Sequence, residues 1–160
     1  MLTAITRRAA CLLAVLGLAA VGSLWPSSLP AQDEEKPYQV IDGVVDWYTF
    51  SGFRRYHSEC HVCHGPDGMG SSFAPSLLDS LKTMPYEDFL EVVVNGREVV
   101  TTSEQDSMPA FGENLNVMCF IDDLYAYLKA RADGAIGRGR PPKKQPKPQE
   151  AKERDDACMG

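Results

Sequence analysis

The pentapeptide "CHVCH", residues 60–64, constrains this chain more than any other stretch. Two thiols three residues apart, with a histidine directly after the second, suit three chemistries: a structural zinc site, a thiol redox centre, or covalent attachment of haem. A structural zinc site needs four ligands, usually with a second pair at matched spacing. The distant cysteines, Cys119 and Cys158, have no such companions. A thioredoxin-like centre calls for strands and for a helix that begins at the first cysteine. Here the helical pattern ends there instead. Haem attachment asks for nothing more, because two cysteines at this spacing can add to the two vinyl groups along one porphyrin edge. The following histidine then lies beneath the iron. The expectation is therefore one covalent haem c, with Cys60 and Cys63 as its thioether anchors and His64 as an axial ligand.

An iron that only exchanges electrons takes a second axial ligand, and a methionine thioether is the usual one beside histidine. Met69 follows the attachment loop too closely to reach the opposite face of the ring, and Met118 begins a helix whose apolar side is needed for packing. Met84 and Met159 have nothing to single them out. Met108 lies 44 residues beyond His64, in a stretch that reads as irregular, and Pro109 stiffens it. It is the expected ligand. His57 and His61 sit on the attachment side of the ring and are read as surface or locally hydrogen-bonded side chains. Pro75 could offer a backbone carbonyl to the outer N–H of His64. Spacing alone leaves it equally a proline that fixes a turn.

The N-terminus has the form of a secretory signal: Arg7 and Arg8, the apolar run "CLLAVLGLAAVGSLW", then "PSSLPA". Cleavage is expected near Ala31. A retained anchor would have to use an apolar run, Ala9 to Trp25, that is about the shortest able to span a bilayer. The mature chain is therefore expected in the periplasm, without a membrane span. Residues 32–137 carry 18 acidic against 7 basic side chains, whereas residues 138–160 carry 4 against 7. An acidic body repels the phosphates of nucleic acid and suits solubility or a partner with a basic docking patch.

Residues 32–39 read as a charged, flexible leader and 40–137 as the folded domain. From Asp46, "DWYTFSGFRRYHSEC" places Tyr48, Gly52, Tyr56 and Cys60 on one helical face. A glycine-, proline- and serine-rich loop follows. "PYEDFLEVVVNG" is a short amphipathic helix closed by Gly96, and "VMCFIDDLYAYLKARAD" is the strongest helix in the chain, stopped at Gly134. No strand is expected, and residues 138–160 read as an extended or disordered tail rich in proline and lysine. The fold class is all-α. Three helices and long loops make a poor core by themselves, so a large apolar group is expected at the centre.

Gly52, Tyr56 and Cys60 in the first helix and "DLYAYLK" in the last resemble the class I cytochromes c. That resemblance implies a crossing of the two helices at the glycine, a histidine hydrogen bond to Pro75, and Met108 of the Met-Pro pair as distal ligand. "RRYHSECHVCHGPDGMGSSFAPSLLDSL", "VVNGR" and "NVMCFIDDLYAYLKARADGAIGRGRP" are similar to the methanol-metabolism cytochromes of the cytochrome cL type, over about residues 38–142. The resemblance implies a donor, a PQQ-dependent alcohol or methanol dehydrogenase, with a lanthanide-dependent enzyme among the candidates. A downstream cytochrome c or an oxidase would be the acceptor. It also implies that Cys119 and Cys158 form a disulfide clipping the tail to the body, which the loop-entropy model values at about 3 to 4 kcal/mol. The expected function is one-electron transfer without chemical change of a substrate. The rivals are a carrier for another respiratory donor, and a catalytic or gas-binding haem with an open sixth position.

Overall fold

In the computed structural model, residues 35–100 and 105–160 are described; the signal-like segment lies outside them. A short antiparallel hairpin, β1 (Val40–Ile41) and β2 (Val44–Val45), leads into α1 (Trp47–Glu59), α2 (His61–His64) and a 3-10 turn at Pro66–Gly68. Then come α3 (Leu77–Ser80), α4 (Tyr86–Asn95), an antiparallel hairpin of β3 (Arg97–Val100) and β4 (Gln105–Met108), α5 (Leu115–Met118), α6 (Ile121–Ala132) and α7 (Gln149–Met159). The body is mostly helical, as its periodicity requires, but the two hairpins correct the expectation that it holds no strand.

Helix α1 starts where Asp46 accepts hydrogen bonds from the Thr49 N–H at 2.8 Å and the Thr49 hydroxyl at 2.6 Å, which satisfies a donor that the helix end leaves free. It crosses α6 at Gly52. A methyl group there would lie 1.8 Å from the main-chain oxygen of Asp123 and 2.8 Å from Cβ of Tyr127, so the two helices meet at backbone distance. Tyr56 and Tyr127, both fully buried, pack at this crossing with ring centroids 5.6 Å apart. Around them Leu81, Phe89, Val93, Val117, Leu124 and Leu128 make the main core cluster.

The ends of the described chain differ from expectation. The leader is anchored at Tyr38, which is buried and donates from its hydroxyl to Asp133 at 2.8 Å. The C-terminal segment is neither free nor disordered. Lys143 and Gln145 exchange backbone hydrogen bonds with Val45, Lys144 stands 4.8 Å from the Trp47 ring, and α7 follows. From α7, Arg154 makes two 2.8 Å bonds to the carboxylate of Asp123, which is 1 % exposed. Burial pushes the Asp123 carboxyl up against the pull of that guanidinium. Cys158 of α7 is bonded to Cys119, with their Cα atoms 5.9 Å apart. Among the described residues, no helix is long and apolar enough to cross a membrane.

Candidate functional site

The end of α1 delivers Cys60, and the single turn of α2 carries Cys63 and His64 directly after it. Cys60 and Cys63 are unbridged. Cys60 is half-buried against the core cluster, and burial pushes its thiol up to about 12, whereas Cys63 faces solvent. His64 is buried, and its Nδ1–H donates to the carbonyl of Pro75 at 3.2 Å. That contact places the Pro75 carbonyl within hydrogen-bond reach of the imidazole. It also leaves Nε2 as the nitrogen with its lone pair available, the arrangement by which an outer hydrogen bond orients a ligating imidazole.

The loop around the motif is held by close backbone approach. The Tyr56 hydroxyl donates to the Gly65 carbonyl at 2.5 Å, and the Ser71 hydroxyl donates to that of Cys63. At Gly65, whose φ is +71°, a side chain would stand 2.2 Å from the Gly70 oxygen, so only glycine closes this turn.

Sequence reading missed Asp67. It is 4 % exposed, sits at a left-handed φ of 60°, and receives the Gly139 N–H at 3.0 Å. Arg138 Nε lies 3.4 Å and His57 Nε2 3.6 Å from its carboxylate, and Arg131 donates to its main-chain oxygen. Burial opposes ionisation there, yet the Gly139 N–H, Arg138, Arg131 and His57 outweigh it and hold the carboxyl below the usual aspartate range. His57 is half-buried, donates from Nδ1 to the Phe53 carbonyl at 2.8 Å, and stacks on the exposed His61.

Met108 ends β4, opposite Arg97 of β3, and not in an irregular loop. It is partly buried and packs against the same cluster as Cys60 and Phe111. Two large apolar side chains at and near the motif face solvent: Val62 is 71 % and Phe73 75 % exposed.

Two unbridged thiols, one oriented imidazole and a thioether brought to the same core form a donor set that fits haem: sulfur to bond the vinyl groups, nitrogen and sulfur for iron. Fold and donor set define a haem protein of the c type. The family model "Cytochrome C oxidase, cbb3-type, subunit III" matches residues 50–128. Cytochrome c-553I of Paracoccus denitrificans is 56% identical over 118 residues, 74% of this chain and 52% of that one, so the chain spans about half the length of that relative. Cytochrome c-555 of Methylococcus capsulatus is 42% identical over 102 residues, 63% of this chain and 76% of that one. The crystal structure of the c-type cytochrome XoxG from Methylobacterium extorquens AM1 superposes with a TM-score of 0.65 at 56% identity, covering 71% of this chain and 69% of that one. The chain belongs to the class I cytochromes c and is related to the methanol-metabolism cytochromes. Proteins of this family carry covalently bound haem and transfer electrons; they are not enzymes.

Proposed function

We propose that this chain is an exported one-electron carrier that takes electrons from a PQQ-dependent methanol or alcohol dehydrogenase and passes them to a downstream cytochrome or oxidase. Haem c, when bound, supplies reversible one-electron exchange at its iron. The observation that carries the reading is the His64–Pro75 hydrogen bond directly behind two unbridged cysteines. In this reading Cys60 and Cys63 would anchor one ring, and His64 would ligate through Nε2 because Pro75 occupies its other nitrogen. Met108 would supply a thioether to the iron, a soft donor that would favour the reduced state and raise the potential. Tyr56, Gly65 and Ser71 fix the loop that carries Cys63 and His64. The likeness to cytochrome c-553I and XoxG supports a donor in methanol metabolism, and the acidic body of the chain suits a partner with a basic docking patch.

Two measurements test this. Stopped-flow mixing of the purified holoprotein with reduced quinone dehydrogenases should give haem reduction faster than with a generic donor. Equal rates would remove the dehydrogenase from the proposal and leave the carrier. Met108→Ala should abolish the weak red-edge charge-transfer band of the ferric protein and lower its potential; an unchanged band moves the ligand elsewhere and reopens the rival of an open sixth position.

A further inference from the structure

The main chain around Met108 is seated on the end of α4. The last turn of that helix leaves carbonyls without intrahelical partners. Two of them are taken by the segment after the methionine: the Phe111 N–H donates to the Val93 oxygen at 2.9 Å and the Gly112 N–H to the Val94 oxygen at 3.1 Å. Before the methionine, strand pairing sets Met108 against Arg97, the second residue past the helix. Between these two attachments stands Gly96, the C-cap, with φ 73°.

A side chain at Gly96 would place its Cβ 2.6 Å from the Met108 oxygen, 2.8 Å from the Ala110 nitrogen and 3.0 Å from the Pro109 carbonyl carbon. All three are backbone atoms, so no rotamer change relieves the contact. Helix α4 cannot yield readily either, because Phe89 and Val93 fix it in the core cluster. The Met108–Ala110 segment would be the part that moves. An outward shift of the main chain carries the thioether with it.

We propose that Gly96 is a positioning residue for the distal ligand, the missing side chain being what seats Met108–Pro109–Ala110 at its working distance from the haem. This rests on the reading of Met108 as that ligand. It assigns the placement of the methionine to the helix end before the hairpin as well as to the proline after it.

The test compares holoproteins carrying Gly96→Ala, Gly96→Asn, Gly112→Ala and, as a control, Gly137→Ala, where a methyl group meets nothing within 4 Å. Far-UV circular dichroism checks the fold. The ferric red-edge band, the equilibrium potential and the affinity for added imidazole report the methionine. Gly96→Ala is expected to weaken the band, lower the potential and tighten imidazole binding by about tenfold. Gly96→Asn should do the same, since it carries the same Cβ and, at φ 73° and ψ −175°, gains nothing from asparagine's tolerance of the left-handed helical region. Gly137→Ala should match the parent. If Gly96→Ala does not fold, Gly112→Ala, which presses less hard on the Val94 oxygen at 3.1 Å, should give a smaller shift of the same sign.

An unchanged band and potential in folded Gly96→Ala, or in Gly112→Ala where the former is lost, would overturn the proposal. So would parent-like behaviour of folded Gly96→Asn, because that side chain carries the same Cβ. Met108→Ala separates the two levels. If it keeps the band, the ligand reading itself fails and this inference falls with it; if it loses the band while Gly96→Ala keeps it, only the positioning role fails.

Discussion

Asp67 shows how a single side chain can join distant parts of this chain. Its carboxylate stands among Arg138, Gly139, Tyr127 and His57, and its folded-state pKa is lowered. A depressed carboxylate contributes stability in full above the ordinary aspartate value, about 4, and loses it as the pH falls through the lowered folded-state value. Asp133 and Asp155 are lowered as well, so stability should fall on acidification below about pH 4. Asp67→Asn should be less stable than the parent at pH 7 and should show a shallower loss between pH 5 and pH 2, measured as the melting midpoint across pH. Parallel pH profiles for the two proteins would show that the carboxylate contributes nothing. The residues of "CHVCH" were legible because their chemistry depends on spacing within one turn. Asp67 was not, since "PDG" reads as an ordinary turn and its partners Arg138 and Gly139 lie 71 and 72 residues away.

Elements were legible where an apolar face or a glycine marked them. Helices α1 and α6 follow from their periodicity, and Gly52 marks their crossing. Gly52→Ala is expected to destabilise by about 2 kcal/mol or more, since overpacking against backbone outweighs the roughly 1 kcal/mol that alanine gains in a helix interior. Denaturant titration of the holoprotein checks this, and a neutral or stabilising result would mean the helices part without strain. Strands β3 and β4 escaped notice because "REVVTTSEQDSM" lacks the apolar alternation that announces a half-buried hairpin. Helix α7 escaped for a different reason. It buries Ala151 and hardly anything else, so an ion pair and a disulfide hold it where an apolar stripe would be expected.

Over the whole molecule, basic side chains of the C-terminal segment reach buried carboxylates of the body. Arg138 reaches Asp67 and Arg154 reaches Asp123, so the basic segment acts as an internal partner for acidic side chains of the body. The Cys119–Cys158 bond closes a separation of 39 residues. Replacing Cys158 by Ser should lower stability by about 3 to 4 kcal/mol in the chain-entropy model while leaving the haem spectrum unchanged. Matched denaturant curves for the two proteins would show that α7 stays docked without its bond; an altered spectrum would show that the strap reaches the haem itself.

The placement of Arg154 also has a bearing on how the protein is made. Its two bonds go to Asp123, the residue whose main-chain oxygen touches Gly52 at the helix crossing. Chains are synthesised from the N-terminus, so Cys60 and Cys63 emerge well before the residues that brace this crossing exist. In the closed body with Cys60 unbridged, burial pushes its thiol up, away from the thiolate form. In the nascent chain it is still an ordinary cysteine. Arg154 therefore ties a residue of α7 to the crossing that α6 makes with α1, the helix that delivers Cys60.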